Sequence, residues 1–174
     1  MGKLVGLILK YALILAVFCG IAGLLLALVY EHTAPLKILN QEKAKIAGQQ
    51  KLFPELAEIV DGEVYSASGD LLGYILSVRA RGYSSDIELL VGVDPAYQIG
   101  GLQILAQAET PGFGARITEK NFADSLLGGA AAGLRHRKDG GAYDGITGAT
   151  ITSRAVFDGI RQEVENFKKS KGAE

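Results

Sequence analysis

The chain has one cysteine and two histidines in 174 residues, and its charges nearly balance, with 18 basic against 19 acidic side chains. Cys19 lies inside an apolar run, so the rest of the chain is left without a disulfide or a thiolate cluster. His32 and His136 are far apart and have no cysteine or carboxylate at ligand spacing, so no metal or iron–sulfur centre is predicted. There is no long basic run, and nucleic acid is not implied. The glycine-rich stretch 128–133 is followed by Leu134-Arg135 where a phosphate-binding loop needs Lys-Ser/Thr. Gly112-Phe113-Gly114 lacks the third glycine and the βαβ unit of a dinucleotide fold.

A long hydrophobic run is what the N-terminal part does have. Residues 11–30 are uncharged and dominated by Leu, Ala, Val and Ile, which is long enough for a bilayer core of about 30 Å. The run exceeds the apolar region of a secretory signal and is not closed by a small-x-small cleavage site, and Cys19 follows the bulky Phe18, unlike a lipid-attachment site. It reads as one membrane span. Lys3 and Lys10 precede it while Glu31 and His32 follow, which places the N-terminus in the cytoplasm and residues 31–174 outside the cytoplasmic membrane. Setting aside Lys3 and Lys10 leaves 16 basic against 19 acidic residues beyond the span, a formal charge of −3. About 140 residues suffice for a single core. The expected organisation is an anchor over 1–30, a connecting helix within 31–54 and one folded domain over 55–174.

Leu36, Leu39, Lys43, Ile46 and Gln50 recur at helical spacing, predicting a helix over 36–52 that Pro54 ends. Strands are predicted over 64–67, 72–78, 87–93 and 102–108, with turns at Gly69-Asp70 and Asp94-Pro95. Alternation is clearest at Leu72, Tyr74, Leu76 and Val78. Short connections imply an antiparallel meander. A helical piece over 120–127, a Gly/Ala-rich connection over 128–143 and an amphipathic helix over 151–169 complete an α+β domain in which helices flank an antiparallel sheet.

The most informative segment is Asp144-Gly145-Ile146-Thr147-Gly148-Ala149-Thr150, directly before that last helix. Thr147 is read as its N-cap. Gly148 and Ala149 leave backbone amides uncrowded, and Thr150 presents a hydroxyl in the first turn, where unpaired N–H groups favour an anion such as phosphate. The dipole contributes only about 0.3–1 kcal/mol, enough to orient a phosphate but not to retain a cofactor. Taken alone the segment is also an ordinary helix cap, and Thr152 and Ser153 offer neighbouring hydroxyls. In Glu109-Thr110-Pro111-Gly112-Phe113-Gly114, Pro-Gly predicts a type II turn with exposed amides, with Gly114 free for positive φ. Gly82-Tyr83-Ser84-Ser85-Asp86-Ile87 reads as a hairpin element before an apolar strand.

These segments, in this order, resemble the FMN-binding subunits of the Rnf and Na⁺-translocating NADH:quinone oxidoreductase families. There an Asp lies three residues before Ser/Thr-Gly-Ala-Thr, which Asp144 and Thr147-Gly148-Ala149-Thr150 match position by position. A Glu-Thr-Pro-Gly-Leu-Gly loop lies beside the flavin, with Phe113 here in place of the usual Leu. The resemblance implies FMN attached covalently through a phosphoester to Thr150, installed by a flavin transferase that uses FAD as donor. It implies a pocket formed by Thr147, Gly148, Ala149, residues 109–114 and Tyr83. Asp144 either aligns Thr150 for the transferase, holds a metal during attachment or is a solvated carboxylate, while Glu109 bonds within its own loop or is likewise solvated. The implied activity is electron relay within a membrane complex that couples ferredoxin oxidation or NAD⁺ reduction on other subunits to ion translocation. The short chain fits an Rnf-type G subunit better than the related C subunit of the NADH:quinone enzyme. A tethered binding or assembly module without flavin is the reading of a different class.

Overall fold

The computed structural model describes residues 2–172. Contacts divide the chain into two compact units, Met1–Lys43 and Ala44–Glu174.

The first helix, α1, runs from Gly2 to Leu52 without interruption. The residues expected as span and connecting helix are continuous in α1, which passes through Pro35. A proline removes one N–H and crowds the carbonyl one turn back, but the apolar and Ala/Lys-rich sequence on either side favours helix enough to continue past it. The stretch from Leu4 is long and apolar enough to cross a membrane, with a mean hydropathy of 2.9 in its most apolar window and none of that window buried.

The second unit is built on a five-stranded antiparallel meander: β1 (Glu58–Val60), β2 (Glu63–Tyr65), β3 (Leu71–Arg81), β4 (Asp86–Val93) and β5 (Ile99–Ala106), neighbours in chain order. The first hairpin, β1–β2, is absent from the sequence reading although its signal is present. Asp61-Gly62 takes φ of 48° and 83°, the pair of positive values that a two-residue type I′ turn demands and Asp-Gly supplies. β3 and β4 pair over eight positions, from Tyr74 opposite Val93 to Arg81 opposite Asp86. The alternation read at Leu76 and Val78 places these side chains on the face covered by the last helix, α3 (Thr150–Ser170). Val156, Phe157, Ile160 and Val164 of α3 form the core there with Leu89, Val91, Ile117, Leu126 and Leu134. On the opposite face Val64, Ile75 and Leu90 are covered by Leu52 and Phe53 at the end of α1. The helix expected over 120–127 is shorter, α2 (Lys120–Asp124), and 128–143 is held by two short 3₁₀ turns, Ala131–Gly133 and Arg137–Asp139.

α3 meets the sheet closely at Gly159. A Cβ there would lie 2.9 Å from Val78 Cγ1 and 3.0 Å from Ala80 Cβ. Gly159→Leu therefore forces helix and sheet apart, and a loss of about 1–3 kcal/mol is expected from overpacking. Thermal unfolding of the detergent-solubilised chain checks this, with Gly159→Ala expected to lose less because its better helix propensity offsets part of the strain.

Candidate functional site

Two loops and the start of α3 converge at one end of the sheet. The turn Thr110–Phe113 is the type II turn that its Pro-Gly predicts: the Phe113 N–H donates to Thr110 O at 3.2 Å and Gly112 has φ of 77°. Gly114 is a glycine for another reason than the one expected. It has no positive φ; instead a Cβ would lie 2.7 Å from Glu109 Oε2 and 2.8 Å from Thr152 Oγ1.

The α3 terminus also departs from the sequence reading. The helix begins at Thr150, its N-cap is Ala149 without a side-chain cap, and Thr147 is exposed and caps nothing. Ser153, inside the first turn, ties the preceding loop to the helix without capping its free amides. Its hydroxyl accepts from Ile146 N–H at 2.9 Å and donates to Ala149 O at 3.0 Å, closing the preceding loop onto the helix. The first-turn N–H groups of Thr150, Ile151 and Thr152 have no backbone acceptor among the described residues. Gly148 has φ of 81° and sits under the Phe113 ring, where a Cβ would approach Cδ1 to 2.8 Å. The two motifs are therefore in contact through these two residues.

Glu109 links the pieces. It is 5 % exposed, and its carboxylate accepts from the N–H groups of Tyr83, Ser84 and Ser85 at 3.2, 2.9 and 2.9 Å, from the Ser85 hydroxyl at 3.3 Å and from the Thr152 hydroxyl at 2.6 Å. Its backbone N–H donates within the loop, to Gln107 Oε1 at 2.7 Å, while the carboxylate reaches out of the loop and joins the β3–β4 connection to α3. Burial by itself pushes the carboxyl pKa up, but the Thr152 hydroxyl and the three backbone donors more than offset this and hold it below the ordinary 4.5. Gly82 permits the approach, since a Cβ there would lie 2.5 Å from Glu109 Oε1.

Around these contacts lies a cleft of about 540 Å³, lined by Tyr83, Glu109, Thr110, Phe113, Gly114, Lys138 and residues 148–152. Tyr83, Phe113 and Ile151 put large exposed apolar surface at its edge. An adjoining depression of about 420 Å³ is lined by His136, Arg137, Lys138, residues 144–148 and Thr150. Thr150, Gly148 and Lys138 line both. Of the residues singled out in the sequence, Tyr83, Glu109, Thr110, Phe113, Gly114, Gly148, Ala149 and Thr150 meet at the main cleft. Thr147 and Asp144 line the depression, where exposed Asp144 pairs with Arg137 at 3.0 Å, and Pro111 and Gly112 form the exposed tip of their turn.

Ile151 and Lys138 are the main-cleft residues that the sequence does not single out; a lone lysine in a polar loop such as Lys138 carries no pattern. The fold fixes its backbone. His136 Nδ1 accepts from the Lys138 N–H at 3.0 Å, and Arg154 of α3 grips the adjacent Asp139 through two bonds of 2.6 Å. Gly145 lets the loop close, as a Cβ there would lie 2.6 Å from His136 Nε2.

Comparison with known proteins gives the site its context. Residues 82–165 match the FMN-binding domain family. The chain is 32 % identical to the G subunit of the ion-translocating oxidoreductase complex of Methanosarcina acetivorans, covering 94 % of this chain and 96 % of that protein. The chain belongs to this G-subunit family. Identity is 30 % to the corresponding G subunit of Aliivibrio fischeri, over 91 % of this chain and 90 % of that one. It is also 30 % to the G subunit of the proton-translocating ferredoxin:NAD(+) oxidoreductase complex of Clostridium ljungdahlii, over 87 % and 86 %. Among solved structures, Shewanella oneidensis NqrC shares the fold with a TM-score of 0.51 at 24 % identity, over 64 % of this chain and 60 % of that one. The C subunit of the Na(+)-translocating NADH-quinone reductase from Parabacteroides distasonis does so with a TM-score of 0.50 at 24 % identity, over 62 % and 60 %. The matched FMN-binding region contains every cleft-lining residue of the two loops and of the α3 terminus.

Proposed function

We propose that the chain is a membrane-anchored flavoprotein electron carrier of an ion-translocating oxidoreductase complex, with FMN held in the main cleft through a phosphoester on Thr150. The observation that carries the attachment site is the state of the nearby hydroxyls. Thr152 and Ser153 are buried and their hydroxyls are engaged with Glu109 and with Ala149 and Ile146. Thr147 lies outside the main cleft, and the Thr110 hydroxyl lies 3.4 Å from that of Ser84. Thr150 lies on the cleft, is partly accessible, and its hydroxyl has no partner among the described residues.

The cleft fits the group. Its volume lies within the roughly 300–1,000 Å³ of small-molecule sites, with apolar walls and a few fixed polar groups. Phe113, Tyr83 and Ile151 offer apolar surface to a planar ring, while the free first-turn amides and Lys138 offer donors and positive charge to a phosphate. Bound FMN supplies a centre that accepts and releases electrons singly or in pairs. Thr150 gives the anchoring oxygen. In maturation by a flavin transferase its Oγ1 attacks the FMN-side phosphorus of FAD, the new O–P bond replaces the pyrophosphate bond, AMP departs, and the hydroxyl proton goes to solvent. The chain gains FMN less one water.

Residues 1–30 anchor the chain, and the charge balance around the span leaves the FMN domain, within 55–174, on the outer side of the membrane. Its electron-transfer partners are other subunits of the complex. The full chain, coproduced with a flavin transferase, is expected to be yellow, to keep its colour after unfolding, to bleach with dithionite and to recover in air. A colourless chain, when a control substrate is flavinylated by the same transferase, overturns this function.

A further inference from the structure

The cleft wall contains a buried charge that attachment does not use. Glu109 is closed off from solvent, and every partner of its carboxylate is a neutral N–H or O–H group. No lysine, arginine or histidine pairs with it among the described residues. Its five donors keep it ionised without cancelling its charge. The other charged residue of the cleft, Lys138, is exposed, and water and salt screen it far more strongly than they screen a buried group. Glu109 is also fixed in place: it binds three consecutive amides of the β3–β4 connection and the helix residue two positions after Thr150.

We propose that Glu109 is a positioning residue that sets the reduction potential of the group in the cleft, holding it low by placing a rigid, uncompensated negative charge in the wall. This rests on the proposed FMN site. An electron delivered to the cleft adds negative charge beside the Glu109 carboxylate. In a partly buried setting with an effective dielectric near 20, two unit charges several ångströms apart repel enough to move an equilibrium by an order of magnitude.

Glu109→Gln preserves the shape. The amide oxygen keeps the Ser84 and Ser85 N–H bonds, the amide nitrogen donates to a reversed Thr152 hydroxyl, and the long bond from the Tyr83 N–H is lost. The test is a spectroelectrochemical titration of the full-length, flavin-loaded chain in detergent, comparing wild type, Glu109→Gln and Thr152→Val. Removing the charge is expected to raise the equilibrium constant for one-electron reduction about tenfold, a positive shift of about 59 mV. Thr152→Val keeps the charge but strips a donor from it, so its potential is expected to move the other way. Loaded Glu109→Gln with an unchanged or lower potential overturns the inference. So do shifts of the same sign in both variants, which general loosening of the site would give. If Glu109→Gln yields no loaded chain, Thr152→Val decides alone: a negative shift supports the inference, and no shift or a positive one overturns it. A second readout needs no flavin. In a Thr150→Ala background, Glu109→Gln is expected to speed hydrogen exchange at the Tyr83 amide, and unchanged exchange there contradicts the positioning role. A wild-type chain that takes up no flavin overturns the proposed function and this inference together, whereas loaded chains of equal potential overturn the inference alone.

Discussion

Thr150→Ala, coproduced with a flavin transferase, is expected to emerge colourless and at its unmodified mass, while Thr147→Ala remains yellow. The loss in Thr150→Ala is expected to be complete, because Thr150 carries the one aliphatic hydroxyl of the main cleft without a hydrogen-bond partner among the described residues. Thr152 and Ser153 are within three residues but are sealed in the core by the bonds that build the helix start. Folding is expected to be unaffected, since the Thr150 side chain makes no hydrogen bond among the described residues and is only partly buried. A matching thermal unfolding midpoint for the unloaded wild-type chain separates loss of attachment from loss of fold. Residual flavin on Thr150→Ala at wild-type yield places the bond elsewhere. Thr147→Ala tests the complementary point: its exposed side chain caps nothing, so flavin incorporation is expected to stay close to that of wild type, and its collapse would make Thr147 part of the acceptor.

Glu109→Ala has the second large effect, on stability. Truncation leaves the Tyr83, Ser84 and Ser85 amides and the Thr152 hydroxyl without their acceptor. An unsatisfied buried donor costs about 1–3 kcal/mol, and water reaches Tyr83 and Ser84, which are exposed, more readily than Thr152, which is not. A net loss of about 3 kcal/mol is expected in denaturant unfolding. The pH dependence has a definite sign. The folded carboxyl titrates below its ordinary value, so its contribution is fully present above about pH 4.5 and disappears as pH falls through the lower folded value. Glu109→Gln is expected to flatten that part of the acid limb. An unchanged limb would mean that the carboxylate contributes no stability through ionisation.

The apolar span, the meander, the Pro-Gly turn and the two motifs are legible in the sequence because each is a local pattern: an uncharged run long enough for a bilayer, period-two alternation, a dipeptide that selects a turn type. The β1–β2 hairpin is equally legible through Asp61-Gly62 and is easily overlooked because each of its strands has only 3 residues. The α3 start is misread because a threonine before a helix is a good cap in isolation, but the serine that closes this loop lies after it, at Ser153. Glu109 and Lys138 belong to a different category. The Glu109 partners are 24–26 and 43 residues away in sequence, and Lys138 reaches the cleft beside Thr150 only because a histidine, a glycine and an Arg154–Asp139 pair fold its loop back on α3. Contacts of that separation leave no periodicity to read. The glycines at 82, 114 and 145 carry a faint signal, for each lacks a positive φ and instead makes room for a neighbouring side chain.

Peptide mapping by tandem mass spectrometry of the chain purified from its own membranes tests the bond at Thr150 itself. One modified peptide is expected, containing residues 147–153, heavier by FMN less one water and fragmenting with the added mass on Thr150. An unmodified peptide in a chain that carries flavin, or the same mass on Thr147, Thr152 or Ser153, would contradict it.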